Sequence, residues 1–401
     1  MIKVFNMDVM EGLKRLEDES VDCVVTSPPY WALRDYGVEG QLGLEPTFQE
    51  YINKLCDIFD EVKRVLKKTG TCWVNLGDSY AGNMGKKSGW TDNKLGFSKE
   101  EAIEKGVCLT NKTKIIHQLP QKCLVGIPAR FQIEMINRGW ILRNVIIWKK
   151  NNCMPSSVKD RFTVDFEYVF FFTKNKKYYF EQQFETYAPA SDVRYRQKLR
   201  AGKKYNSKEP YKNNLPYNSI KRRGNDKDGL CVGGNNQGRN KRAVWTINSK
   251  PFSEAHFAVY PEELCETPIK AGCPKEVCVK CGKPKEPIFK SNPQKREIEW
   301  HNEKYGKEDE KTKRLGRMQP QKSVYNTSQF KGYKPTCSCN VEFKKGVVLD
   351  PFVGSGTTLK VARNLNIDSI GIELNPEYIK IIKKRLFKGH QPLVNDFEVV
   401  K

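Results

Sequence analysis

The sequence predicts a doubly wound α/β fold, a central mixed sheet with helices on both faces, and three observations carry that prediction. Short apolar runs alternate with amphipathic periods near both ends of the 401-residue chain. Two of those runs end in loops of unusual composition, Thr26-Ser27-Pro28-Pro29-Tyr30 and Asp350-Pro351-Phe352-Val353-Gly354-Ser355-Gly356-Thr357-Thr358. Between them lie long polar stretches that read as insertions.

Ile2–Phe5 reads as a strand, Val9–Leu16 as a helix, and Val21-Asp22-Cys23-Val24-Val25 as a fully buried strand running into the double proline. Thr47-Phe48-Gln49-Glu50 is a capping box opening a long amphipathic helix to about Leu66, and Thr71–Leu76 resumes the sheet. Residues 84–120, polar and punctuated by glycine, read as an inserted loop. A helix at Ile127–Asn137 and strands at Trp140–Trp148 and Phe166–Phe172 complete the first half. The chain closes with strand Val347–Leu349, a glycine turn, a helix, strand Ser369–Ile372 and a helix entered through Asn375-Pro376.

Lys and Arg number 70 against 47 Asp and Glu, a net charge of +23, which favours a polyanionic partner and nucleic acid before an acidic membrane. No apolar run approaches the roughly 20 residues of a membrane span, and Met1–Phe5 reads as a strand instead of a signal peptide. The expectation is a cytoplasmic protein with no membrane partner. Thirteen cysteines, an odd number, are mostly scattered through apolar segments, as at Cys23, Cys56 and Cys72, in keeping with a reducing compartment. Residues 191–250 hold 16 Lys or Arg against 4 Asp or Glu, interleaved with Tyr195, Tyr205, Tyr211, Tyr217 and Trp245. That mixture suits phosphate contacts combined with stacking on bases; a solvated loop is the alternative.

The Asp350–Thr358 turn follows an apolar strand and leads into a helix, where open α/β sheets bind ligands. Gly354 and Gly356 let the backbone approach a ligand, and Glu373 ends the next strand, where a carboxylate can accept both hydroxyls of a ribose. Thr357-Thr358 stands where a dinucleotide loop needs its third glycine, so no pyrophosphate loop is present. In the other loop, two prolines lack amide protons, leaving carbonyls and the Ser27 hydroxyl to accept hydrogen bonds.

Both loops resemble motifs of the amino-methylating DNA methyltransferases. Asp350–Thr358 is similar to their D-P-F-x-G-S-G-T-T cofactor block, and Val25–Trp31, continued by Asp35-Tyr36-Gly37, is similar to their catalytic block. Further likeness runs through Asn6-Met7-Asp8, through Trp148–Lys174 with Pro155–Arg161, and through His256-Phe257-Ala258-Val259-Tyr260-Pro261. The resemblance covers roughly two thirds of the chain. Catalytic block first and cofactor block last is the order of the β group, whose fold is circularly permuted and sets the strands ending at Thr26 and Asp350 side by side. The resemblance implies S-adenosylmethionine as cofactor and double-stranded DNA as partner. It implies Ser27, Pro28, Pro29 and Tyr30 as catalytic residues, with Ser27 and the Pro28 carbonyl accepting the protons of a flipped-out base amine and Tyr30 stacking on the base. As cofactor contacts it implies Asp8 at the adenine, Phe257 on the methionine side, and Thr26, Asp350, Pro351, Phe352, Gly354, Gly356, Thr357 and Glu373. Carbon-5 methylation needs a Pro-Cys nucleophile, and none occurs. Ser before the prolines favours cytosine-N4 over adenine-N6 among family members. A silent DNA-binding protein is the distant alternative; a cognate restriction endonuclease, the oligomeric state and a cellular or phage origin stay open.

Cys278-Val279-Lys280-Cys281-Gly282 has the knuckle spacing of a structural zinc site, and Cys337-Ser338-Cys339 offers two more thiolates across a 55-residue gap. Cys273 is a competing ligand, and His301 reads as a surface residue. The expected organisation is a catalytic half at 1–190, a basic recognition region at 191–250, a cofactor half at 251–273 and 341–401, and a zinc-clamped insertion at 274–340.

Overall fold

In the computed structural model, residues 1–33, 37–81, 119–186, 239–249, 259–296, 323–387 and 396–401 are described. The chain divides into two compact units. The first comprises Met1–Gln183, Arg242–Glu286 and Pro335–Lys401, and the second Phe184–Lys241 and Pro287–Lys334.

The first unit is built on a nine-stranded sheet. Its strands are β1 (Ile2–Phe5), β2 (Val21–Thr26), β3 (Leu66–Leu76), β4 (Ile141–Lys149), β5 (Phe166–Thr173), β8 (Val244–Thr246), β13 (Val347–Asp350), β14 (Asp368–Ile372) and β15 (Phe397–Val400). The short pairs β6 (Phe184–Glu185) with β7 (Arg239–Asn240) and β10 (Lys285–Arg296) with β11 (Ser323–Pro335) form separate two-stranded sheets, as do β9 (Glu276–Cys278) and β12 (Phe343–Lys345). The order in the large sheet is β15-β1-β14-β13-β2-β3-β5-β4-β8. From β15 to β3 neighbours are parallel, and β5 runs antiparallel between β3 and β4. The predicted neighbours do pair: Val348 lies opposite Cys23 and Leu349 opposite Val24.

Helices cover both faces. Alternation along β2 sends Val24 into one core with α1 (Val9–Lys14), α2 (Phe48–Val65) and α3 (Ile127–Asn137), while Cys23 and Val25 enter the other with α4 (Glu262–Gly272) and α5 (Thr357–Asn364). The helix α6 (Pro376–Phe387) packs Ile379, Ile382 and Leu386 against Ile2, Val4 and Leu359. All six residues of β2 are buried, Asp22 included, whose carboxylate is paired with Lys67 at 2.7 Å. Across β3 and β5, Trp73 stacks on Phe171 with centroids 3.9 Å apart. Thr47 caps α2 by accepting the Glu50 amide at 3.2 Å. Asp78, just after β3, caps α3 by accepting the Gly126 and Ile127 amides, each at 3.0 Å.

The expected helices and strands of the first unit are present. The polar loop at 84–120 falls almost wholly outside the described residues, as does most of the basic stretch 191–250. Elements of the first unit that were not foreseen include α4, β8, β9, β12 and β15. A proline inside α4, Pro268, masks its helical period, and β15 is only four residues long. Among the described residues no helix is long and apolar enough to cross a membrane.

Candidate active site

Because β1, β2, β3, β13 and β14 are parallel, their carboxyl ends come to one edge, the edge at which open α/β sheets bind ligands. A cavity of about 640 Å³ opens there. It lies within the range of small-molecule clefts, about 300–1,000 Å³. Asp8, Pro351, Phe352, Gly354, Thr357 and Glu373 line it on the β1, β13 and β14 side, and Ser27, Pro28, Pro29 and Tyr30 on the β2 side. Ten of the predicted residues therefore share one cavity.

Glu373 follows β14 with each carboxylate oxygen held by a main-chain amide, Gly354 and Asn375, both at 2.9 Å. Burial pushes its pKa up to about 7, with the amides pulling the other way. Gly354 sits at φ +50°, and a Cβ there would meet no atom within 4 Å, so the backbone borders open space beside the carboxylate. Asp8 turns Oδ1 to the amides of Met10 and Glu11 and so caps α1 while lining the cavity.

Thr26, Asp350 and Gly356 do not line the cavity and stand behind it. All three were expected as cofactor contacts; what the structure gives is their packing. Asp350 is fully buried, and its carboxylate accepts from Thr26 Oγ1 at 2.6 Å, Thr358 Oγ1 at 2.6 Å, Tyr260 OH at 2.9 Å and the Phe352 amide at 3.1 Å. With both oxygens engaged it fastens β2, the turn, α5 and Tyr260 together. Burial raises its pKa, opposed by those donors. Gly356 adopts φ +82° at the start of α5, where a Cβ would come within 3.0 Å of Ile382. Phe257, with His256 and Ala258, lies outside the described residues, as do Asp35, Tyr36 and His301.

The Ser27–Tyr30 loop is held from α2 and from the segment before it. Tyr51 donates to the Pro29 carbonyl at 2.8 Å, Trp31 Nε1 donates to the Glu45 carbonyl at 3.0 Å, and the Ala32 amide donates to the Gly43 carbonyl at 2.8 Å. Tyr30 reaches across to β3 and β5, its hydroxyl 2.6 Å from Glu167 Oε2 and 3.1 Å from Asn75 Oδ1. Burial, then the Glu167 carboxylate, pushes the phenol well above its ordinary range. Lys150 pairs with Glu167, and all three of Asn75, Lys150 and Glu167 line the cavity. Sequence reading passed over these residues. Their signal was a polar side chain inside an otherwise apolar strand, as in Phe166-Glu167-Tyr168-Val169.

Compared with known proteins, the chain matches the model of the N6/N4 DNA methylase family over residues 21–280 and 277–384. The Type II methyltransferase M.SmaI of Serratia marcescens is 31% identical over 96% of this chain and 91% of its own. M.XycI of Xanthomonas campestris pv. cyanopsidis is 32% identical and M.Cfr9I of Citrobacter freundii 30%, each over 96% of this chain and 87% of theirs. The chain belongs to the DNA methylase family.

Away from the cavity, the methylase brings Cys278, Cys281, Cys337 and Cys339 together, their sulfurs all within 4.8 Å of one another. β9 pairs antiparallel with β12, opposing Cys278 to Phe343, and Gly282 at φ +69° closes the knuckle with its amide on the Cys278 carbonyl at 2.9 Å. A tetrahedral thiolate site with bonds of about 2.3 Å has sulfurs about 3.8 Å apart, so the donor set fits zinc. Cys273, the competing ligand, is buried in the core beside Cys23 and is not in the cluster.

Proposed function

We propose that this methylase is a site-specific DNA methyltransferase that moves a methyl group from S-adenosylmethionine to the exocyclic amine of a flipped-out base, cytosine-N4. The observation that carries the reading is that Ser27, Pro28 and Tyr30 share one cavity with Gly354 and Glu373. Glu373 holds the ribose hydroxyls, the Gly354 backbone leaves room for the ligand, and Asp8 faces the adenine. When bound, S-adenosylmethionine supplies an electrophilic methyl group on sulfur.

An exocyclic amine is a poor nucleophile because its lone pair is delocalised into the ring. Ser27 Oγ and the Pro28 carbonyl accept its protons and so favour a pyramidal, attacking nitrogen. Tyr30 stacks on the base, which leaves the duplex at a cost of roughly a few kcal/mol. The basic stretch 191–250 docks the duplex, and the four cysteines hold a structural zinc at the base of the 274–340 insertion, with no open coordination position for chemistry. The Type II naming of the relatives supports a cognate restriction endonuclease as partner. Ser27 alone carries the choice of cytosine.

Transfer of labelled methyl from S-adenosylmethionine to duplex DNA, followed by digestion to nucleosides, is expected to yield N4-methylcytosine. No transfer to any duplex would overturn the activity, and N6-methyladenine alone would overturn the base. Elemental analysis is expected to find one zinc per chain, and a ratio near zero would remove the clamp.

A further inference from the structure

Asn75, near the end of β3, is 5% exposed, and its hydrogen bonds have a fixed direction. Its amide nitrogen donates to the Tyr168 carbonyl at 3.1 Å and to Glu167 Oε2 at 3.0 Å. A main-chain carbonyl and a carboxylate only accept, so the amide cannot be turned over without setting two acceptors against its oxygen. Oδ1 therefore faces the catalytic loop, 3.2 Å from Ser27 Oγ. A carbonyl oxygen has no proton to give, and the proton in that bond is the one Ser27 carries. Only lone pairs remain on Ser27 for the cavity side.

The chain of polarity continues outward. Glu167 is fixed as an acceptor by the Lys150 ammonium on Oε1 and by Tyr30 and Asn75 on Oε2. Lys150 is itself held 4.2 Å over the Trp148 ring. A cation at one end thus sets the orientation of every donor down to Ser27.

We infer that Lys150, Glu167 and Asn75 form a polarity relay that makes Ser27 an obligate hydrogen-bond acceptor, so that the pocket takes a base edge presenting an amine and refuses one presenting a carbonyl. The inference rests on the reading of Ser27 as the partner of the base amine. The three residues are positioning residues acting through Ser27. Their consequence is selectivity: cytosine differs from uracil, and adenine from hypoxanthine, by that amine-for-carbonyl exchange, and a buried polar site rejects the mismatched partner strongly.

The test uses the full chain and duplexes carrying the mapped methylation site, with the target base native or replaced by its carbonyl counterpart, uracil or hypoxanthine. Glu167→Gln takes the carboxylate from Lys150 and, with its amide nitrogen toward Asn75, leaves the Tyr168 carbonyl as the one acceptor of the pair still holding the Asn75 amide, so the direction of Oδ1 toward Ser27 is loosened. The expected result is a kcat lower by about a hundredfold, with the KM for DNA changed less than about threefold. In equilibrium binding the preference for the native over the carbonyl base should shrink by about tenfold. Asn75→Asp is the isosteric second variant, informative even where Glu167→Gln fails to fold. The groups facing it are the Glu167 carboxylate, the Lys150 ammonium and the Tyr30 phenol. Only in its protonated form can the new carboxyl group both accept from Ser27 and donate to Glu167. Activity is therefore expected at acid pH and lost as the shared proton leaves, whereas Asn75→Ala should be inactive throughout. The relay is overturned if Glu167→Gln keeps its kcat and base preference, or if Asn75→Asp follows the wild-type pH profile. A wild-type protein that methylates no duplex would overturn the reading of Ser27 and with it the relay's consequence, whereas a wild type that methylates beside a Glu167→Gln variant of unchanged base preference overturns the relay alone.

Discussion

At the β13–β14 end of the cavity a ligand meets the bare Gly354 backbone and the Glu373 carboxylate, itself held by two main-chain amides, all drawn from residues 350–375, with Asp8 beside them at the β1 side. At the β2–β3–β5 end it meets side chains gathered from Ser27, Asn75, Lys150 and Glu167, which only the sheet brings together. The first end is local in sequence and tolerant of side-chain chemistry, since backbone groups make the approach. The second depends on the direction of individual hydrogen bonds. Two carboxylates repeat the contrast: Asp350 is saturated by four donors and buried, while Glu373 holds two amides and still borders the cavity.

The largest separation of the two ends should come from Ser27→Ala, with kcat lowered about 100- to 1,000-fold and cofactor affinity unchanged in a calorimetric titration. A parallel loss of cofactor affinity would show that the ends are not independent. Asp350→Asn leaves an amide donor facing hydroxyl donors and should cost about 2–3 kcal/mol of stability, read as a lower thermal midpoint. Glu373→Gln also sets an amide donor against a main-chain amide, Gly354 or Asn375, and should lower the midpoint too, but unlike Asp350→Asn it should in addition weaken cofactor binding about tenfold. The pH dependence of the wild type sharpens this. With ribose hydroxyls donating to the carboxylate as proposed, affinity should rise as pH increases through about 7 and fall by up to about tenfold per unit below it. The sign for stability is opposite: a carboxyl raised from 4.5 to about 7 in the folded protein contributes stability at acid pH that is lost as pH climbs through that window. Gly356→Ala should cost about 1–2 kcal/mol of stability, from forcing a side chain to φ +82° against Ile382, with cofactor affinity unchanged in the same titration.

How much was legible follows the same division. Gly354, Gly356 and Glu373 stand close together in a strand-turn-helix-strand run, and Ser27-Pro28-Pro29-Tyr30 is compact, so both loops could be found by eye. The pairing of β2 with β13 was legible only through motif order and the family resemblance. Asn75 and Glu167 sit in strands whose apolar runs read as core, and nothing local says that β3 and β5 are antiparallel neighbours with Asn75 opposite Val169. Thr26 and Asp350 raise a related point. Motif membership does not distinguish a group that touches a ligand from one that braces the turn behind it. That distinction lives in burial and in the count of donors around a carboxylate.

The bond between Thr26 and Asp350 spans 324 positions of sequence. During synthesis β2 can pair with β3 early, but its other edge has no neighbour until Val347–Asp350 leaves the ribosome. A nascent chain therefore carries the finished Ser-Pro-Pro-Tyr loop beside an open, largely apolar strand edge, the kind of edge that invites pairing with other chains. The centre of the sheet is among its last parts to close. Folding yield, more than the final stability, should be the property most exposed to anything that delays the C-terminal strands.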